Sequence, residues 1–138
     1  MDEYSGDIKA VQESYDRCCR SGDFFGTFYD IFLAKSPEIP PLFEDTDFEV
    51  QKEVIKTSVG LMILIAPLVE VARRHSRNGL NIRPEWYELW LDALCEALRK
   101  HDTEFTPELE AKWRANMRLG IEFMTSMYFP SRLFVCSR

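Results

Sequence analysis

The chain has no surplus of positive charge. Lys and Arg number 17 against 23 Asp and Glu, for a net charge of −6 and a pI near 5.0. Phosphate backbones are held by concentrated basic surface, so no nucleic-acid partner is expected. The chain also lacks a long apolar run. Its most apolar stretch, Val59–Ala72, is interrupted by Pro67 and Glu70 and is too short for a bilayer, so no membrane association is expected. The opening MDEYSGD is acidic where a secretory signal is basic, and cytoplasmic residence is the expectation. Metal-type cysteine spacing is missing. Cys18 and Cys19 are adjacent, and Cys95 and Cys136 stand alone, so reduced thiols without a redox role are expected. Histidine is scarcer still, with only His75 and His101. No segment alternates like a half-exposed strand, no hairpin dipeptide occurs, and no internal repeat is visible, which excludes a sheet.

What is present is apolar residue at helical spacing. Hydrophobic residues make up 46% of 138, enough for one domain with one core. In DIKAVQESYDRCCR, Ile8, Val11, Tyr15, Cys18 and Cys19 form one stripe, which Ser21–Gly22 ends. Asp23 is placed to cap a helix that crowds Phe24, Phe25, Phe28, Tyr29, Phe32 and Leu33 onto a broad face until Pro37 stops it. The proline-rich PEIPPLF then turns the chain. Thr46 followed by Glu49 predicts a capping box. The helix behind it carries Val54, Ile55, Ser58, Leu61, Met62 and Ile65 and is expected to end at Pro67. A shorter helix is expected from Leu68 through His75, ended by Gly79. Pro84 suits a first helical position, and Trp90, Ala93, Leu94, Ala97 and Leu98 continue that helix's apolar face. Thr106–Pro107 opens a last helix with Trp113, Met117, Gly120, Ile121, Met124 and Tyr128 inward. A domain over 1–130 and a C-terminal tail over 131–138, after the break at Pro130, are expected.

Five of these segments, in order, resemble a known family. FYDIFLAKSPEIPPLF, TDFEVQKEVI, ARRHSRNGL, RPEWYELWLDAL and FTPELEAKW are similar to successive helices of globins, in particular bacterial single-domain haemoglobins and the haem domains of flavohaemoglobins. The likeness runs from about Val11 to Tyr128. It implies an all-α, globin-like fold with a shortened distal-to-proximal turn and haem b (protohaem IX, iron) between the distal and proximal helices. It further implies reversible binding of O2 or another diatomic gas such as CO or NO, in gas transport or NO scavenging.

The resemblance assigns roles to particular residues. His75 matches the proximal iron ligand, Phe43 the ring wedged against the porphyrin, and Tyr29 the distal tyrosine that hydrogen-bonds the gas. Gln51 matches the distal-helix position, Ile55 closes the pocket one turn later, and Tyr87 falls near the proximal side. Arg74 and Arg77 flank the histidine, where a guanidinium suits a haem propionate. Chemistry supports the set independently. Neutral imidazole is a good iron ligand, and a flat apolar cofactor needs aromatic and aliphatic lining, which 10 Phe and 5 Met supply.

Other readings of the same residues stand beside these. A histidine among arginines is ordinarily solvated or capping, and Tyr29 can be a core tyrosine bonded to a carbonyl. His101, near a helix end, suits the helix dipole. A one-residue shift puts Lys52 or Val50 in place of Gln51. The interval from Gln51 to His75 is shorter than in most globins. Where flavohaemoglobins set a glutamate behind the proximal imidazole, this chain has Tyr128, and Glu122 falls too early, so peroxidase-like chemistry is less expected. An NO dioxygenase would need a separate reductase. The alternative function is a globin-fold gas or redox sensor, or a haemless interaction module. In either case a homodimer through the last two helices is the expected assembly.

Overall fold

A computed structural model describes the backbone of residues 3–73 and 84–126 and the side chains of residues 8–64 and 87–121. The described residues form five α-helices and one 3-10 turn, with no strand among them. Helix α1 spans Glu3–Cys19, α2 Phe24–Leu33, α3 Phe48–Arg73, α4 Pro84–His101 and α5 Pro107–Ser126. The 3-10 turn is Pro40–Phe43.

Local chemistry sets most of the boundaries. Gly22 takes φ 106°, a left-handed conformation that favours glycine, and so turns the chain out of α1. Asp23 then caps α2, its carboxylate accepting the Gly26 N–H at 3.0 Å. Thr106 Oγ1 accepts from Leu109 N at 3.1 Å and opens α5 behind Pro107. The expected capping box at Thr46 is displaced by one residue. Asp47 Oδ1 accepts from Glu49 N at 3.0 Å and Val50 N at 3.4 Å, while Thr46 N closes the preceding turn onto Phe43 O at 3.1 Å. A carboxylate is also the better acceptor at the positive end of a helix.

The expected break at Pro67 does not occur. Helix α3 runs through it to Arg73, in place of two helices meeting there. Proline removes one N–H from the helical ladder, and the carbonyl thereby orphaned is reached by a side chain of α5. The resulting long helix packs on α5, while α2 packs on α4 and α1 lies against α3, α4 and α5. Phe24, Phe28, Phe32, Trp90, Leu94 and Leu98 are buried from α2 and α4, and Phe28 meets Trp90 edge-on at 5.7 Å. Met62, Ile63, Met117 and Ile121 are buried from α3 and α5. A Cβ at Gly120 would run into Met62 Cβ, so the missing side chain lets these two helices close up.

One polar network is buried in this core. Asp102, at the α4–α5 corner and 2% exposed, accepts from Ser14 Oγ at 2.6 Å and from Arg17 Nε at 2.6 Å and Nη2 at 3.0 Å. It also accepts from Glu104 N at 2.9 Å, and Trp113 Nε1 donates to Ser14 Oγ at 2.9 Å. His101 ends α4, as the sequence suggested, and it also ties α4 to the α1–α2 corner. Its Nδ1 lies 2.5 Å from Ser21 Oγ, its Nε2 2.8 Å from Thr27 Oγ1, and its ring edge-on to Phe24.

Candidate functional site

The capping of α2 and α3 fixes which residues face each other across them. Tyr29 is the sixth residue of α2 and Gln51 the fourth of α3. Both are buried, at 3% and 0% exposure. Gln51 Nε2 donates to the Tyr29 hydroxyl at 2.9 Å, and Gln51 Oε1 is buried with no hydrogen-bond partner among the described residues. A buried acceptor left without a donor costs about 1–3 kcal/mol, so its presence here points to use rather than to packing.

Aromatic and aliphatic groups enclose the pair. Phe43, from the 3-10 turn, meets Tyr29 edge-on at 5.7 Å and stacks on Phe48 at 5.6 Å. Phe48 meets Tyr29 at 5.4 Å, so three rings from three elements close on one another. Ile55, one turn after Gln51, is 1% exposed. Of the three residues competing for the inward position, Gln51 is the buried one. Val50 is 49% exposed, and Lys52 bridges outward to Asp23 at 3.0 Å and to Glu49 at 3.6 Å. The hydrogen bond from Lys52, with that from Gly26 N, holds the Asp23 carboxyl below its ordinary range. A surface cleft of about 330 Å³ between α2 and α3, lined by Tyr29, Phe48, Leu33, Thr27, Asp23 and Lys52, reaches the tyrosine from outside.

The structure therefore brings together Tyr29, Phe43, Gln51 and Ile55 of the residues singled out in the sequence, and adds Phe48. Phe48 sits three residues before Gln51, at the opening of α3, and that spacing was the signal available for finding it. Tyr87 lies on the opening turn of α4, partly buried against the core. Arg74, His75, Arg77 and Tyr128 lie outside the described residues. No cluster of three or more His, Cys, Asp or Glu suited to a metal occurs among the described residues. Burial pushes the Cys18 and Cys95 thiols up to about 12, and Cys19 is also raised by burial, so none of the three is a reactive thiolate. No described helix is long and apolar enough to cross a membrane.

An all-helical fold with a tyrosine–glutamine pair closed under a phenylalanine corner defines a globin-type protein. A crystal structure of a Pseudomonas aeruginosa PAO1 protein, described as structurally highly homologous to a human hemoglobin, matches this chain with a TM-score of 0.73. The two are 39% identical, over 88% of this chain and 98% of that one. The chain belongs to the globin family. No protein-family profile and no curated protein matches it.

Proposed function

We propose that this chain is a haem-binding globin that reversibly binds a diatomic gas, O2, CO or NO, beside Tyr29 and Gln51. The observation that carries the reading is the buried Gln51 amide, hydrogen-bonded to Tyr29 at one end and without a partner among the described residues at the other. The surrounding residues fit one face of a flat apolar macrocycle, since Phe43, Phe48 and Ile55 offer rings and a branched aliphatic side chain and no buried charge. When bound, haem b would supply an iron able to take a diatomic gas.

The protein's own part is then to orient, exclude water and donate hydrogen bonds. His75 would hold the iron through its imidazole. Arg74 or Arg77 would pair with a propionate, and Tyr87 would lie toward the proximal side. On the distal side the glutamine amide has two orientations. In one, Nε2 donates to Tyr29 and Oε1 points into the pocket. After a half-turn of the amide, Tyr29 donates to Oε1 and the N–H pair points inward. The second orientation offers a donor to a guest that carries partial negative charge, and it satisfies the acceptor. The Tyr29–Gln51 pair is thus a built-in donor that favours O2 over CO.

The test is the visible spectrum of the purified protein as isolated, reduced, and reduced with CO. One haem per chain and a Soret band that shifts with CO are expected, and His75→Ala should abolish or reshape that spectrum. No Soret band after hemin is added would overturn the reading.

A further inference from the structure

We infer that Asn116 of α5 stands in for the backbone N–H that Pro67 lacks, and by doing so carries α3 across its proline as one helix. In an α-helix the carbonyl of residue 63 is bonded by the N–H of residue 67. Residue 67 is proline, with no N–H to give. The Ile63 carbonyl instead accepts from Asn116 Nδ2 at 3.4 Å. Asn116 is 1% exposed, and its own Oδ1 has no partner among the described residues. Its burial is therefore not explained by a full set of hydrogen bonds of its own. The substituted bond is what the side chain is there to make.

The packing around it shows how so short a side chain reaches a main-chain oxygen. Gly120 lies one turn beyond Asn116 on α5, and a Cβ there would run into Met62, the residue before Ile63. The backbones of α3 and α5 thus approach closely beside the carbonyl that needs a donor. A glycine and an asparagine four residues apart on α5 form a latch opposite a proline on α3. The described part of that helix reaches Arg73, and His75 follows two positions further along the sequence. On the haem reading above, Asn116 would then be a positioning residue for the segment that carries His75.

A double-mutant cycle between Asn116→Leu and Pro67→Ala isolates the latch. Leucine keeps the branching of asparagine at Cγ but cannot donate, and alanine at 67 restores the missing N–H. Urea unfolding of the haem-free protein is the first readout. Asn116→Leu is expected to lower the folding equilibrium constant about tenfold when Pro67 is present. In the Pro67→Ala protein the same change is expected to be neutral or favourable, because it removes an unsatisfied amide oxygen and orphans nothing. Equal losses in both backgrounds would overturn the latch. If Asn116→Leu alone does not fold, recovery of folding in the double variant supports the latch and failure to recover overturns it. The second readout is haem transfer to an excess of acceptor apoprotein. Loss several-fold faster in Asn116→Leu, reversed in the double variant, is expected, and unchanged loss would overturn the positioning role. A wild-type protein that takes up no haem would overturn the proposed function, and the unfolding cycle would still decide the latch.

Discussion

Asp102→Ala is the substitution whose cost the structure specifies most completely. It removes the shared acceptor of four hydrogen bonds, three joining α1 to the α4–α5 corner, from Ser14 and twice from Arg17, and one within the corner from Glu104 N. The contributions differ. Ser14 is fully buried, and its hydroxyl, which already accepts from Trp113, loses its only acceptor among the bonds described, at about 1–2 kcal/mol. The Arg17 side chain is 23% exposed, so its guanidinium recovers water and the lost ion pair costs about 1 kcal/mol. The Glu104 N–H is only part-buried and adds less than about 1 kcal/mol. The total is about 3 kcal/mol, a large share of a small domain's stability. Asp102→Asn keeps the shape and part of the acceptor capacity and should cost about half as much. Urea unfolding at neutral pH, followed by tryptophan fluorescence and far-UV circular dichroism, measures both. A loss below about 1 kcal/mol for the alanine variant would refute the assignment of this network as a main tie of the fold.

The same carboxylate predicts a pH dependence. Burial alone would raise its pKa. Hydrogen bonds from Arg17, Ser14 and Glu104 N outweigh burial and hold it below the ordinary carboxylate value. A group depressed in the folded state stabilises above its unfolded pKa, ~3.9 for Asp, and the contribution is lost as pH falls through the folded value. The stability difference between wild type and Asp102→Asn should therefore be full at pH 6 and shrink below about pH 4. Glu110, paired with Arg99 and Arg114, is also held low and titrates in both proteins, so the difference between the two profiles is the readout.

Two further outcomes follow from the described geometry. Asp47→Ala should destabilise the protein by about 1 kcal/mol, while Thr46→Ala should be nearly neutral, because the cap of α3 is the aspartate. Reversal of that order in thermal melts would return the cap to Thr46. In the native protein at pH 8, iodoacetamide should modify Cys19 at least about tenfold faster than Cys18 or Cys95, whose thiols are buried and pushed up to about 12. Peptide mapping that finds Cys18 or Cys95 labelled as fast as Cys19 would contradict the core assigned here.

How much of this was legible in the sequence depends on how far each residue lies from its partner. The helix starts at Asp23, Pro84 and Thr106–Pro107 and the turn at Gly22 rest on chemistry within three or four residues, and they were read correctly. The displaced cap is a local error of one residue, made because Thr46 and Asp47 both suit the position. The burial of Gln51 in preference to Lys52 follows from that cap, since Asp47 sets the phase at which α3 begins. Tyr29, Phe43 and Ile55 were singled out because the order of motifs located them, and Phe48, though inside the segment TDFEVQKEVI, was missed because the resemblance assigned it no role.

Pro67 was misread for a different reason. Proline is a helix breaker by every local rule, and the donor that overrules it sits 53 residues away on α5. Asp102 likewise gave no sign in the sequence, because its partners Ser14 and Arg17 lie 88 and 85 residues from it. Both cases join polar atoms on helices that meet only after the apolar faces have packed. The apolar pattern therefore predicts which helices meet, and the buried polar bonds determine where along their length they lock. In this protein those locks lie at the α1–α4–α5 corner and at the α3–α5 crossing. Substitutions at the α3–α5 crossing should alter the alignment of α3 without touching Tyr29 or Gln51, and on the proposed function a changed gas affinity at an intact distal pair would be their signature.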